Sequence, residues 1–455
     1  MNILGFILGK KDSLEAIPAS SFDFSNLLPF LEQEGAFVIY GTGREIKSFY
    51  RRANAVEGTK QLLIKKFAIL TGEVDKLITA IPLDSREVLD SALAHLCLAK
   101  RPSFEKRLMI GVFRILNQPL LYRFVFRRQF CLVVNKETET LFSFLLQGLN
   151  IRDIKLSFSI YKSSGKFVVP LFNSETGENI GYAKIYASKK DSEHYGKTEA
   201  RALRFLKQFP FKSAEVPSVL LSNYFGDNLV TVISSKNGLR NFKSVSNEHI
   251  EWIKELAKET GVKELFKDSS FAIVIKGEME LIKNKIGKDD FWIVNQLYEE
   301  AVKSLSDKEF IFSFTNRDFD YHELLHHKDG NLVIDWEYAH AKFPPLFDVY
   351  SLLLSEGARG NGDYVEMHVR NLEATFFREN RKTSEIVVNF LRKWGIKKDD
   401  AYFVFLFFLV DRLYLSLYVG SYRNSEPANS EIAVQFLKKI HNEPKYQENW
   451  LLYKK

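Results

Sequence analysis

"FSFTNRDFDYHELLHHKDGNLVIDWEYAH" runs from Phe312 to His340. Two of its stretches read as β-strands, a Gly330-Asn331 turn lies between them, and the acidic residues Asp318 and Asp335 each sit beside a strand. A carboxylate at a strand end contributes nothing to an apolar core and is costly to enclose. Its placement asks for a chemical reason.

The surrounding chain is globular in composition. Its 455 residues suit roughly two to four domains at about 150 residues each. A hydrophobic share of 45% with 27% charged residues excludes disordered and fibrous classes. The 39 phenylalanines need no functional account in a chain able to bury large cores. A net charge of +7 and a pI near 9.0 suit anionic ligands in general. No Lys/Arg run is long enough for a nucleic-acid tail, so no nucleic-acid partner is expected. Cys97 and Cys131 have no paired spacing, which argues against a disulfide framework or a cysteine zinc site and fits a reducing cytoplasm.

Three segments invite a membrane or cofactor reading. The opening "MNILGFILGKKDS" carries its lysines after the apolar run, the wrong order for a secretory signal. The stretch 401–420, "AYFVFLFFLVDRLYLSLYVG", is long enough to span a bilayer, but Asp411 and Arg412 interrupt it at mid-depth. A helix buried in a helical lobe is the better reading, and no transmembrane segment is expected. The arginine-studded segment 107–134 fits either a membrane-surface element or a buried helix and strand with Arg at the edges, and the second is preferred. A peripheral membrane contact stays open there. "GAFVIYGTGREIKSFYRR" begins like a dinucleotide loop but has Ile46 where the third glycine belongs, so it reads as a tight turn.

From about residue 152 three strand-like runs precede the helical pattern "HYGKTEARALRFLKQF", and two more strands follow around Gly226-Asp227. Beyond 240 the pattern is mainly helical. Ser or Asn caps "SVSNEHIEWIKELAKET", and an Asp pair opens "DDFWIVNQLYEEAVKSL". The expected division is 1–150, an α/β accessory domain, then 151–240, a β-rich lobe, then 241–455, a helical lobe.

In this setting the segment resembles the active-site core of the aminoglycoside phosphotransferase and choline kinase family, small-molecule kinases with a protein-kinase-like fold. The resemblance covers about 152–425 and is strongest over 312–350. The family's loop His-x-Asp-x-x-x-x-Asn aligns with "NRDFDYHE", 316–323, and its strand ending in Ile-Asp-Trp/Phe-Glu/Gly with "LVIDWEYA", 332–339. It implies an α+β, bilobal protein-kinase-like fold with a β-rich small lobe and helical large lobe, preceded by an extra N-terminal α/β domain. It implies Asp318 as catalytic base, Glu323 and Asp335 as metal positions, and Asp348 in "PPLFDVYSLL" as a brace for the loop. It further implies Lys184 in "GYAKIYA" as the lysine that grips phosphates, with Glu199 in "TEARALRFL" as its partner. A Lys in an apolar strand ordinarily points to solvent; a Glu on the next helix favours the functional reading. Ser164 and Gly165 fall where a hairpin would cover phosphates, and Ser234 and Ser235 where a hinge would meet adenine. Two positions depart from the pattern: Asn316 replaces the loop His, and Glu323 replaces the metal-binding Asn.

The implied cofactors are ATP and Mg²⁺, with Mn²⁺ also suited to carboxylates. The implied partner is a small-molecule hydroxyl acceptor, a sugar, amino-alcohol or surface glycan, and the whole layout resembles phosphotransferases of bacterial surface-polysaccharide pathways. The two departures motivate an alternative from another class, a catalytically impaired nucleotide-binding scaffold. The accessory region is expected to dock substrate, a partner or a membrane surface, since no catalytic constellation marks it. The acceptor would be chosen by 240–310 and 355–425; Glu356 and Asp363 there read as ordinary surface charge. His322, His326 and His327 match no zinc spacing.

Overall fold

Runs of β-branched and aromatic residues with turn residues between them build one large antiparallel sheet. The computed structural model describes residues 15–17, 36–41, 62–71, 78–83, 85, 87–92, 129–135, 141–151, 156–158, 160–163, 166–186, 189–357, 364–377, 381–419 and 426–451. The chain divides into two compact units: residues 1–200 with 217–239, and residues 201–216 with 240–455.

The first unit holds strands β1 (Glu15–Ile17), β2 (Ala36–Gly41), β3 (Leu62–Thr71), β4 (Ile78–Pro82) and β5 (Gln129–Asn135), then helix α1 (Leu141–Gly148). There follow β6 (Leu156–Phe158), β7 (Ile160–Ser163), β8 (Lys166–Asn173), β9 (Asn179–Tyr186), β10 (Val219–Phe225) and β11 (Asn228–Ser234). They form an 11-stranded sheet in the order β1-β2-β5-β3-β4-β7-β8-β9-β11-β10, with β6 pairing β8. Continuity between the early and later strands comes from β4 pairing β7, Thr79 opposite Tyr161 and Ala80 opposite Ile160. The hairpin expected at Gly226-Asp227 joins β10 to β11 with Phe225 opposite Asn228. Gly226 takes a positive φ of 57°, the conformation such tight turns need. The core strand β8 is buried on both faces from Lys166 to Phe172.

The second unit is mainly helical. Helix α2 (Lys197–Leu206) crosses the division, and α3 (Asn247–Thr260), α4 (Ser270–Lys283), α5 (Lys288–Leu305), α6 (Leu346–Gly357), α7 (Tyr364–Phe376), α8 (Arg381–Trp394), α9 (Lys398–Tyr414) and α10 (Glu426–Asn442) follow. Asp289 and Asp290 sit in the first turn of α5, where they favour the positive end of the helix dipole. A three-stranded sheet joins β12 (Val262–Leu265), β13 (Glu309–Thr315) and β16 (His340–Phe343). A second small sheet contains β14 (Leu324–His326) and β15 (Asn331–Val333), flanked by the short strands Ala214–Glu215 and Arg240–Asn241.

The apolar stretch at 401–420 covers most of α9, which packs against α4, α5, α6 and α10. Every residue from Ala401 to Asp411 is buried. A helix that is hydrophobic all round needs such a surround. Among the described residues, Lys398–Tyr418 is the one stretch of helix long and apolar enough to cross a membrane, and most of it lies inside the unit. Around α9 the aromatic rings interlock, with Phe407 stacked on Phe266 at 5.2 Å and Phe405 against Trp450 at 4.6 Å.

Candidate active site

The loop between β13 and β14 is held by hydrogen bonds from four directions. Asp348, buried in the first turn of α6, accepts the backbone N–H of Asn316 at 2.9 Å and of Arg317 at 2.8 Å, one on each carboxylate oxygen. This is the bracing the resemblance implied for Asp348. Burial pushes its carboxyl up to about 7, against the pull of those two N–H groups.

Asn316 works in both directions. Its Nδ2 donates to the Asp335 carbonyl at 2.9 Å, and its Oδ1 accepts the Asp318 N–H at 3.1 Å. The amide thus ties the loop to the segment beyond β15. From α3, Nε2 of the fully buried His249 meets the Tyr321 carbonyl at 3.0 Å, while its Nδ1 accepts the Ser246 N–H at 3.2 Å. With Nδ1 as acceptor, Nε2 carries the proton and donates.

Two residues here have left-handed backbones, Arg317 at φ 69° and Asp335 at φ 62°. Side chains other than glycine adopt this region at a cost, and outliers of this kind concentrate at functional sites. β15 ends at Val333, two residues before Asp335, so the carboxylate stands on a bend and not on the strand itself. The Ile334 N–H donates to the Glu323 carbonyl at 2.9 Å, continuing the β14–β15 hairpin and setting Glu323 beside the Asp335 segment.

Glu323 has a perturbed carboxyl. The residue is only partly buried, yet its Oε2 is sealed from solvent with no hydrogen-bond partner. Burial raises the carboxyl well above the usual range, and the charges of Asp318, Asp335 and Asp320 add to the rise. The unit thus gathers negative charge around an unsatisfied carboxylate oxygen, an arrangement that a bound cation relieves. Among the described residues, no three His, Cys, Asp or Glu side chains form a cluster able to hold a metal by themselves. A Mg²⁺ held by one or two carboxylates takes its remaining ligands from phosphates and water. Glu323 and Asp335 fit that form of site.

Sequence reasoning missed four charged residues that frame the loop. The buried Arg317 sends Nη2 to Glu278 Oε1 of α4 at 2.7 Å and to Asp411 Oδ1 of α9, and its guanidinium lies 4.6 Å over the Phe343 ring. Burial raises the Glu278 carboxyl, Arg317 pulls it back, and Asp411 adds to the rise. Next along α9, Arg412 donates Nη1 to Asp318 Oδ1 at 2.7 Å. The available signal was the charged pair inside the apolar stretch at 401–420. Its use was invisible because the partners lie 94 residues apart.

In the first unit, Lys184 on β9 and Glu199 on α2 form a buried ion pair, Nζ to Oε1 at 2.6 Å. The ordinary solvent-facing lysine is therefore not what this strand holds. Gly181 on the same strand meets β11 closely: a Cβ there would lie 2.2 Å from the Ile233 carbonyl oxygen. Ser234 is engaged locally, its N–H donating to the Ser218 carbonyl and its Oγ accepting the Ser218 N–H, both at 2.8 Å. Burial raises the Tyr182 hydroxyl strongly, and Ser235 Oγ is sealed from solvent without a hydrogen-bond partner. Ser164 and Gly165 lie outside the described residues, as do the side chains of Glu356 and Asp363 and most of 107–134. His326 and His327 serve the polar turn: His326 Nδ1 lies 3.2 Å from Asn331 Oδ1, and His327 Nδ1 accepts the Asp329 N–H at 3.1 Å.

No protein-family model and no curated protein matches the sequence. Solved structures to which the chain is similar include small-molecule kinases. One is a thermostable mutant of aminoglycoside phosphotransferase APH(4)-Ia with ADP and hygromycin B, 14% identical, TM-score 0.42, covering 66% of this chain and 98% of that one. Another is the amicoumacin kinase hAmiN with AMP-PNP and Ca²⁺, 12% identical, TM-score 0.40, covering 64% and 89%. A third is a choline/ethanolamine kinase family protein from Mesorhizobium loti, 11% identical, TM-score 0.40, covering 65% and 92%. The likeness is one of fold.

Proposed function

We propose that the protein is an ATP-dependent phosphotransferase that phosphorylates a hydroxyl of a small molecule. The observation that carries this reading is the loop at 316–323, in which Asp318 is held from both ends while Glu323 and Asp335 stand within reach of each other's charge. Phosphoryl transfer asks a protein mainly for positioning and charge neutralisation, and a braced loop bearing carboxylates supplies both. Asp318 would orient the acceptor hydroxyl and take its proton. Glu323 and Asp335 would hold Mg²⁺ or Mn²⁺, which when bound neutralises phosphate charge. The buried Lys184–Glu199 pair supports a role for Lys184 on the nucleotide phosphates, with Glu199 fixing its direction. Ser164, Gly165, Ser234 and Ser235 stay as proposed nucleotide contacts.

Sugars, amino-alcohols and surface glycans are the proposed acceptors, with a role in polysaccharide biosynthesis in the cytoplasm. The division at 150 and a substrate- or partner-docking role for 1–150 belong to the same proposal. The test is release of ADP from ATP and Mg²⁺ against a panel of these acceptors, wild type beside Asp318→Asn. A loss of at least about 100-fold in the variant is expected for a positioned general base. Equal turnover by both proteins removes Asp318 from the mechanism. Nucleotide binding without transfer to any acceptor favours a scaffold, for which the sealed Glu323 carboxyl would be the motive.

A further inference from the structure

We propose that Arg412 is a positioning residue for Asp318, an arm from the buried helix α9 that sets where the proposed base stands. What Asp318 does rests on the phosphotransferase reading above; the grip of Arg412 upon it does not.

The geometry is reciprocal. Consecutive loop residues meet consecutive helix residues crosswise: Arg317 of the loop bonds Asp411 of α9, and Arg412 of α9 bonds Asp318 of the loop. Together with Glu278 the groups form a chain of alternating charge, Glu278, Arg317, Asp411, Arg412, Asp318. Glu278, Arg317 and Asp411 are buried, with Asp411 fully enclosed; Arg412 is half-buried, and Asp318 at the end of the chain is more than a third exposed. The chain therefore begins in the core and ends at its most exposed member.

Arg412 is also placed at some expense to itself. Its Nη1 reaches Asp318, but Nε and Nη2 are sealed from solvent without hydrogen-bond partners, and Nε stands 3.9 Å from Asp411 Oδ2. A surface ion pair formed for stability would leave those donors in water. Here the guanidinium is laid 5.0 Å over the Phe408 ring, which fixes its direction, and one N–H is aimed at one carboxylate oxygen. A planar fork held this way orients a carboxylate more firmly than a lysine would.

In the transfer step the acceptor oxygen forms a bond to the γ-phosphorus of ATP. The bond from that phosphorus to the β–γ bridging oxygen breaks with its electron pair to ADP, and the hydroxyl proton passes to Asp318. Arg412 touches none of the reacting atoms. It keeps the receiving carboxylate aimed.

Two measurements on the full chain test this. The first is the titration of the Asp318 carboxyl followed by carbon NMR in wild type, Arg412→Met and Arg412→Lys, with Asp320, Glu323, Asp335 and Asp348 unchanged throughout. Loss of the adjacent cation is expected to move the Asp318 midpoint upward by about one pH unit in Arg412→Met, and Arg412→Lys should restore part of it. Identical titrations in all three overturn the proposal. The second is ATP turnover with Mg²⁺ and water as the acceptor. Arg412→Met is expected to lower kcat by about 10- to 100-fold with KM for ATP within about twofold, the pattern of a misaimed group. Added guanidinium ion should recover part of the loss, whereas a KM effect alone overturns the proposal. Should Arg412→Met not fold, Arg412→Lys carries the same comparisons. Wild-type chain inert toward ATP and every acceptor would remove the phosphotransferase reading, and the titration would still decide whether Arg412 holds Asp318.

Discussion

Asn316 donates its side-chain amide to the Asp335 carbonyl at 2.9 Å while accepting the Asp318 N–H on its other atom. One fully buried side chain thereby links the proposed base to the bend that carries the proposed metal ligand. Asn316→Ala removes two hydrogen bonds from a part-buried carbonyl and a part-buried N–H, a loss of about 0.5–1.5 kcal/mol for each. Urea denaturation should show a lower midpoint, and Asn316→His, which restores a donor, should recover part of it. Unchanged midpoints in both variants would show that the amide bears no load.

The pair Lys184–Glu199 offers a cleaner test of burial. Removing one partner of an enclosed ion pair strands the other, at about 3–5 kcal/mol. Lys184→Met is expected to lower stability by that order. The double variant Lys184→Met with Glu199→Gln should be more stable than either single change, since no charge is left alone. Thermal melts of the four proteins check this, and an additive pattern would contradict it.

Glu323 sets a pH dependence. Its carboxyl is raised in the fold by burial and by neighbouring acids. A group raised in this way gives its full support below the unfolded value, near the ordinary glutamate pKa, and loses it as pH climbs through the folded value. The metal-free protein should therefore melt progressively lower as pH rises above about 4.3, the usual glutamate value. In Glu323→Gln the fall should be shallower. Mg²⁺ should lift the melting temperature of the wild type at neutral pH and have less effect on the variant. A wild-type curve parallel to that of the variant at every pH would refute the assignment.

Gly181 is a test of strand spacing. A methyl group at this position would stand 2.2 Å from the Ile233 carbonyl oxygen, too close for any atom pair. Because the neighbour is backbone, β9 and β11 must separate to admit it. Gly181→Ala should lose about 1–3 kcal/mol, the range of overpacked cores. Amide exchange should quicken along β9 and β11 and stay unchanged in α9.

How much was legible in the sequence follows from the range of each interaction. The hairpin at Gly226-Asp227 was readable because two turn residues between apolar runs settle it locally. Asp348 and Asn316 were readable as parts of one ordered motif, and their hydrogen bonds answer why that motif needs them. Lys184 and Glu199, 15 residues apart, were readable as a pair through the resemblance, which sets a lysine on a strand against a glutamate on the next helix. Arg317, Asp411 and Arg412 were not, because helix packing across distant segments chooses their partners. Asp411 and Arg412 stood out only as defects in an apolar run. The strand expected to end at Asp335 stops at Val333, since the left-handed turn there cannot belong to a ladder. Likewise no local pattern said that β4 would find β7, as pairing between remote strands leaves no mark in either.

That last pairing bears on how the molecule tolerates being shortened. A polypeptide started at residue 151 would leave the outer margin of β7 with open N–H and C=O groups, a template for recruiting foreign strands. Clumping in concentrated solution, rather than loss of any chemical step, is the defect such a truncation should show.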